Sequence, residues 1–171
     1  MSYIPATVKI LNSTGYYESM KAMRLPKPQS FSDSTPSNIG TDDLRLASQL
    51  ILQGDSHAKA LRGIVVYFQI TMQIGFMIEF ETYRCGVETL STTSAMNEMV
   101  TLTGIELAQK KQKDLVSRVY TRIVTISYQT LRRMYRERRH HRHPDWQIFC
   151  QSIEQLPYFN QLIFPEVRNE T

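Results

Sequence analysis

The sequence has few cysteines, no long apolar run and no secretory leader. Its two cysteines, Cys85 and Cys150, lie far apart and form no CxxC pair, which favours an intracellular protein with reduced thiols. No apolar run reaches the roughly 18 residues that a transmembrane helix needs. The opening MSYIPATVKIL lacks the basic start and the long apolar core of a signal peptide. We therefore expect a cytoplasmic protein with no membrane partner.

The common catalytic and nucleotide-binding motifs are absent too. There is no Walker loop, no GxGxxG and no HExxH. His140, His141 and His143 lie close together, but no second ligand cluster has a matching spacing, so a polar turn is favoured over a metal site. Cys85 follows Arg84, which can lower a thiol pKa. A nucleophile also needs a histidine and a carboxylate that the sequence cannot place, so a buried, inert cysteine is favoured.

Length and composition indicate one soluble domain over residues 1–171. The chain is 42% hydrophobic and 21% charged, and its length allows a substantial core. The formal net charge of +4 is too small to require a nucleic-acid partner. The charge is nevertheless concentrated, because six arginines fall within residues 132–142. Two interpretations stay open for this stretch: a solvated helix end and a phosphate-binding surface.

The first half of the chain predicts two strands with helices between them. Ala6 to Leu11 is apolar and β-branched, as a strand is. Ile64 to Ile70 (IVVYFQI) has apolar side chains on both faces, which predicts a strand that is largely buried on both sides. Leu25 to Gly40 holds three prolines and many serines, so we expect a mobile loop over residues 25–40, either a functional lid or disordered. The helices predicted in this half are Tyr17–Met23, Thr41–Gly54 and Asp55–Arg62.

The second half predicts helices only. Ala95 to Lys113 is one of them. Leu115 to Tyr135 carries a broad apolar stripe, which predicts a long core helix despite its β-branched residues. The arginines follow at its C-terminal end, where cations interact well with the helix dipole. A last helix begins at Asp145, and we expect a frayed tail from Val167 to Thr171. The expected buried side of that last helix is Trp146, Phe149, Cys150 and Ile153.

The stretch from Phe76 to Met96 combines carboxylates, an arginine and a cluster of hydroxyls. Glu79 and Glu81 are candidates for a general acid and base, provided that one pocket holds both. As a strand the segment would put both glutamates on one face, whereas on a helix they would diverge. The local pattern does not decide between these structures.

Arg84 precedes the hydroxyl cluster Ser91-Thr92-Thr93-Ser94. An arginine beside short hydroxyl donors is typical of a phosphate or carboxylate pocket. The alternative is a helix cap, with Ser94 as the N-cap of the next helix. Both interpretations stay open at this point.

The order of the pieces resembles the flavin-dependent thymidylate synthases, the ThyX family. The shared pieces are the opening strand VKIL, a helix that ends at Gly54, the strand VVYFQI, a central segment with Arg84, the pair Leu131-Arg132 and the late stretch HPDWQI. The resemblance runs from about Thr7 to Ile153. The family's central signature is Arg-His-Arg, and here the same place reads Thr82-Tyr83-Arg84, so that only the last arginine is in register. The layout is also similar to that of uncharacterised phage and bacterial proteins.

The resemblance implies an α+β fold, with a small antiparallel sheet packed against long helices. It also implies a homotetramer, with pyrimidine-nucleotide and FAD sites at the subunit junctions. In the family, arginines and serines of the central segment and the late helix hold the nucleotide phosphate. The resemblance therefore assigns substrate binding to Arg84, Ser91, Ser94, Arg132 and, with a gap in the spacing, Arg139. The family's Gly-His turn and Leu-Glu-His stretch fall near His57 and Arg62, which are assigned to the cofactor.

Two functional hypotheses follow from the resemblance and the arginines. The first is an enzyme of DNA precursor metabolism that binds a pyrimidine nucleotide and transfers a methyl or hydroxymethyl group to it. The second is a non-catalytic nucleotide or nucleic-acid binding protein on the same fold, in which the basic stretch contacts phosphates and binding is sensitive to salt.

Overall fold

The protein is an α+β domain built around a four-stranded antiparallel sheet with the strand order β1-β2-β4-β3. The computed structural model describes residues 3–26, 31–94, 99 and 101–166, with residues 114–117 described by their backbone alone. The strands are β1 (Thr7–Thr14), β2 (Val65–Gln73), β3 (Val87–Thr92) and β4 (Val119–Ser127). The α-helices are α1 (Tyr16–Arg24), α2 (Thr41–Leu52), α3 (Ile74–Phe80), α4 (Gly104–Ser117), α5 (Tyr128–Arg138) and α6 (Pro144–Glu154). The expected fold class is confirmed.

The core lies between one face of the sheet and the helices. On β2 the side chains of Val66, Phe68 and Ile70 are fully buried, and those between them are half-buried. Phe68 contacts Phe149 of α6, with ring centroids 5.6 Å apart. The first face of this strand is thus completely buried and the second face is buried in part. Burial on alternate residues is what a sheet packed on one side produces.

The expected long helix from Leu115 to Tyr135 is wrong. Its first part splits between the end of α4 and strand β4, and only the last part forms α5. Strand β4 pairs with β2 on one side and β3 on the other, and Val124 and Ile126 point into the core. β-branched residues lose side-chain freedom in a helix and pack well on a pleated sheet, so pairing on both sides decides for a strand. Strand β3 was missed for a related reason: its hydroxyls suggested caps, yet Ser91 and Thr92 belong to the sheet.

The ambiguous segment after β2 is a helix. Helix α3 buries Phe76 and Phe80 against α6, and the Trp146 ring lies 5.0 Å from that of Phe76 and 6.0 Å from that of Phe80. The buried side expected for α6 is confirmed, since Trp146, Phe149, Cys150 and Ile153 are all buried. None of the described helices is long and apolar enough to cross a membrane.

Hydrogen bonds to two carboxylates, of which Asp43 is buried, tie residues 31–40 to helices α1 and α2. Asp43 accepts from Arg24, Ser32 and Ser34, and Asp33 accepts from the first backbone N–H groups of α2. The second helix expected over residues 55–62 is instead a turn followed by the short 3-10 helix Lys59–Gly63. A short π-helical turn, Phe159–Ile163, follows α6. The predictions for residues 27–30, 95–98 and 167–171 lie outside the described residues.

Candidate functional site

Arg84 stands on an exposed turn between α3 and β3. Its side chain makes no hydrogen bond, ion pair or ring contact with any described residue. The preceding residue, Tyr83, is buried and anchors the turn, because its hydroxyl donates to Glu137 at 2.6 Å and accepts from Arg138 Nε at 2.8 Å. Burial, followed by the hydrogen bond to Glu137, raises the pKa of Tyr83 to about 12, so the hydroxyl keeps its proton at neutral pH. The turn is thus held in place, and the side chain of Arg84 is not used to hold it.

A glycine shapes the other end of this turn. Gly86 has φ +83°, in the left-handed region, and a Cβ built on it would meet Thr130 Oγ1 at 2.1 Å. Thr130 in turn donates to the carbonyl of Cys85, so the turn packs directly on the first residues of α5. A residue with a side chain at this position would be strained and crowded at once.

Two further arginines of α5 surround the same turn. The guanidinium of Arg133 lies 5.5 Å from the centre of the Tyr83 ring, and its Nη2 donates to the Cys85 carbonyl at 3.4 Å. Arg138 lies 5.4 Å from the Tyr83 ring and 4.8 Å from that of Trp146, so the tyrosine touches two guanidinium groups. Arg133 is exposed and Arg138 is half-buried. Arg133 thereby contacts the residues on both sides of Arg84, Tyr83 and Cys85.

Arg132, the other principal phosphate candidate, lies in a different place. It is only 8% exposed, and it donates to Asp55 Oδ1 at 2.6 Å and to the backbone carbonyl of Ile51 at 3.2 Å. Burial lowers its pKa below the ordinary value, and the charge of Asp55 partly offsets this. Its Nε has no hydrogen-bond partner among the residues that the structure describes. Within one chain, Arg132 therefore holds the C-terminal end of α2 and does not join Arg84.

The remaining substrate candidates are also dispersed. Arg139 is half-buried, with its guanidinium 4.4 Å from the centre of the Phe164 ring. Ser91 is exposed and lies four positions into β3, about 13 Å along the strand from its start at the usual rise per residue. Ser94 lies two residues beyond the end of β3 and is also exposed. The structure does not bring Ser91 to the turn that carries Arg84.

The two glutamates diverge, as expected for a helix. Glu79 accepts a hydrogen bond from Trp146 Nε1 at 2.8 Å, whereas Glu81 pairs with Arg122 of β4. Each carboxylate is thus engaged with a different partner. The two carboxylates therefore do not act as a pair in this arrangement.

The two cofactor candidates do not meet either. His57 is exposed and lines a cavity of about 720 Å³ between α1, α2 and the 3-10 helix. Arg62 is absent from that lining and donates to Gln129 of α5 instead. Because the two assigned residues point to different surroundings, they do not form a flavin cradle within one chain, and flavin binding stays a prediction. The other residues of the cavity wall are Ala22, Met23, Arg24, Pro26, Leu46, Leu50, Ser56, Lys59 and Ala60.

The cysteines differ from each other in burial. Cys85 is exposed on the Arg84 turn, so the expectation of a buried cysteine is wrong at this position. The backbone carbonyl of Cys85 faces α5, where Thr130 and Arg133 donate to it, and the side chain is left in solvent, which the sequence pattern did not reveal. Cys150 is buried, and burial raises its pKa to about 12. Among the described residues, no group of histidine, cysteine and acidic side chains is arranged to hold a metal ion.

Sequence reasoning missed two residues of this turn. The sequence pattern assigned no role to Tyr83 and did not distinguish Arg133 from the other five arginines. A usable signal was present in α5: Leu131, Met134 and Tyr135 form its apolar side, so Arg133 must face outward. The contact of Arg133 with the Cys85 turn had no signal in the sequence.

No family model and no curated protein matches the sequence. Solved structures do resemble the chain. One is flavin-dependent thymidylate synthase ThyX from Helicobacter pylori complexed with FAD and dUMP, with a TM-score of 0.71, 16% identity, and coverage of 93% of this chain and 98% of that one. A second structure of the same enzyme with FAD and dUMP gives the same TM-score and identity, with coverage of 94% and 97%. The chain therefore has the fold of the flavin-dependent thymidylate synthase ThyX, as the resemblance in sequence order indicated.

Proposed function

We propose that this protein binds a pyrimidine nucleotide and that Arg84 and Arg133 hold its phosphate at the turn between α3 and β3. The observation that carries the proposal is the state of Arg84, which is exposed and unengaged by any described residue although its turn is anchored. Support also comes from the fold, because the similar ThyX structures are complexes with dUMP.

The chemistry of the turn suits a phosphate monoester. Guanidinium groups present planar forks of donors that match phosphate oxygens, and two adjacent forks can share one dianion. Arg133 already reaches the turn through the Cys85 carbonyl. Tyr83 holds the backbone in place, so little ordering remains to be done when the ligand binds.

Catalysis is a separate matter from binding. Transfer of a methyl or hydroxymethyl group needs an acid or base near the pyrimidine, but Glu79 and Glu81 are engaged by Trp146 and Arg122. This observation favours the non-catalytic candidate, a nucleotide-binding protein that keeps the fold without the chemistry. Group transfer, like flavin binding, stays a prediction.

The test is a thermal shift with defined ligands. We expect dUMP to raise the melting temperature, since a ligand at about 100 times its Kd stabilises the folded state by roughly 2.7 kcal/mol. Deoxyuridine, which lacks the phosphate, is expected to give a much smaller shift. Arg84→Ala is expected to abolish the dUMP shift. The control is Arg45→Ala, which removes another arginine whose side chain is 73% exposed and should leave the shift intact.

Two results would count against the proposal. If no pyrimidine nucleotide moves the melting temperature of the unmodified protein, nucleotide binding is wrong. If dUMP still gives the full shift in Arg84→Ala, the phosphate lies elsewhere. Adding FAD and recording flavin absorbance after gel filtration tests the cofactor separately, and its outcome does not bear on the phosphate site.

The homotetramer implied by the resemblance also stays a proposal. Helix α4 exposes most of the side chains described on it, including Ile105, which is 76% exposed. A helix that packs weakly on its own chain is marginal in water, so association between copies would stabilise it. Light scattering after gel filtration measures the assembly, and a monomer at micromolar concentration would contradict it.

A further inference from the structure

The outer face of α5 carries a row of basic residues, and a further arginine follows in the loop beyond the helix. Arg133, Arg136 and His140 follow one another at intervals of three and four residues, and Arg142 lies in the loop before α6. All four are exposed, whereas Leu131 and the other inward-facing residues of the helix are buried. We call Arg133, Arg136, His140 and Arg142 the basic stripe. It starts beside the Arg84 turn, because Arg133 donates to the Cys85 carbonyl.

Few acidic residues lie near the basic stripe in the sequence to neutralise its charge. Among the described residues, no carboxylate pairs with Arg133, Arg136 or Arg142. Glu137 is the only acid between residues 131 and 144, and the Tyr83 hydroxyl donates to it at 2.6 Å. The arginine charge is thus left for a partner outside the chain.

We infer that the basic stripe binds the phosphates of a single-stranded nucleic acid, so that the pyrimidine nucleotide at the Arg84 turn is taken as part of a strand. This inference rests on the proposed function for the position of that one nucleotide. A nucleic-acid strand presents phosphates at regular intervals, and the stripe presents the guanidinium groups of Arg133 and Arg136 on one helix face, with Arg142 in the loop that follows.

The geometry favours a strand over the other polyanions. A single mononucleotide has one phosphate and would leave Arg136 and Arg142 unused. In a duplex each base is stacked and paired, so it would have to leave its partner base to reach the turn. A base of a single strand can reach the turn without that step. An acidic peptide offers carboxylates but no nucleotide, so it would not occupy the Arg84 turn, at which the stripe begins.

The experiment measures the salt dependence of binding by fluorescence anisotropy, with a labelled dodecamer of deoxyuridine as the probe. Four or so phosphate contacts give a slope of log K against log salt of about −2.8, which is roughly a fifty-fold loss between about 50 and about 200 mM salt. Arg136→Gln/Arg142→Gln removes two contacts, so we expect a slope of about −1.4 and a loss of only about sevenfold over that range.

The control removes the same charge elsewhere. Lys9→Gln/Lys111→Gln changes two exposed lysines away from α5 and is expected to leave the slope unchanged. Arg136→Gln/Arg142→Gln is also expected to keep the full dUMP thermal shift, because neither residue lies at the Arg84 turn. That shift shows at the same time that the variant is folded.

The outcomes separate this inference from the proposed function. If dUMP binds but the dodecamer binds no more tightly, the stripe is not a strand-binding surface. If both double variants change the slope equally, only the net charge of the protein matters and the inference is wrong. Tighter binding of the duplex form, or equal competition by polyglutamate, would also overturn it. If the dodecamer binds as expected while dUMP gives no shift, the stripe stands and the mononucleotide site is wrong.

Discussion

Arg132 and Arg133 are neighbours in the sequence, and the structure gives them opposite roles. Arg132 points inward, is 8% exposed and bonds to Asp55 and to the Ile51 carbonyl. Arg133 points outward and reaches the turn of Arg84. Successive residues on a helix are about 100° apart, so one of them can serve the fold while the next serves a ligand. A run of arginines is therefore not one functional feature.

The end of α2 and the Arg84 turn also differ in the contacts that hold them in place. The end of α2 relies on a buried arginine that satisfies a carboxylate and a helix-terminal carbonyl. The Arg84 turn relies on Tyr83 and on a glycine that packs against α5. The first arrangement uses its arginine for stability, and the second leaves its arginine free. Mutations at the end of α2 and at the Arg84 turn should therefore differ in their effects on stability and on ligand binding.

Gly86→Ala should have the largest effect. The change combines a positive φ with a Cβ that meets Thr130 Oγ1 at 2.1 Å, so we expect a loss of about 3 kcal/mol in the free energy of unfolding. Gly54→Ala is the matched control, because its φ is +116° and no atom lies within 4 Å of the new Cβ. Urea denaturation measures both. Equal losses would mean that the contact with Thr130 contributes nothing.

Arg132→Ala should cost about 2 kcal/mol, the range of hydrogen bonds to a charged group. The loss is moderate because the side chain of Asp55 is 60% exposed, so water can solvate the carboxylate that is left behind. Arg133→Ala on the next residue should cost less than about 0.5 kcal/mol. Denaturation of both variants is the measurement, and similar losses would remove the distinction between inward and outward arginines.

Tyr83→Phe should cost about 1 kcal/mol, since it removes the hydroxyl that joins Glu137 and Arg138 and keeps the ring. We also expect a weaker dUMP shift, because the turn that carries Arg84 loses its anchor. Tyr135→Phe removes a comparable hydroxyl, which bonds to Glu154, and should leave dUMP binding unchanged. If both variants bind dUMP equally well, Tyr83 does not position the turn.

Arg84→Ala should have the smallest effect on stability. Without a ligand, we expect the free energy of unfolding to change by less than about 0.5 kcal/mol, because the side chain makes no hydrogen bond, ion pair or ring contact with any described residue. Thermal melts at equal protein concentration measure this. A loss comparable to that of Arg132→Ala would show that Arg84 is a structural residue, and the contrast between the two regions would disappear.

Part of the fold could be predicted because its signals are local. The run of β-branched and aromatic residues around Phe68, the glycine at position 54 and the proline before Asp145 each act through neighbouring residues. The region around β4 could not be predicted in this way. Its β-branched residues fit a helical stripe and a strand alike, and the pairing with β2 and β3 decided for the strand. The order of pieces nevertheless carried the resemblance to ThyX, because order depends little on the exact boundaries.

The candidate site could also be predicted from the sequence only in part. The sequence by itself determined that Arg84 follows a tyrosine and precedes a glycine turn, and that arginines crowd the end of a helix. Only the tertiary structure decided which arginine is free. The packing of α5 turns Arg132 toward Asp55 and Arg133 toward Cys85, and the helical form of α3 separates Glu79 from Glu81. These outcomes depend on contacts between residues far apart in the chain, which local propensity and spacing do not encode.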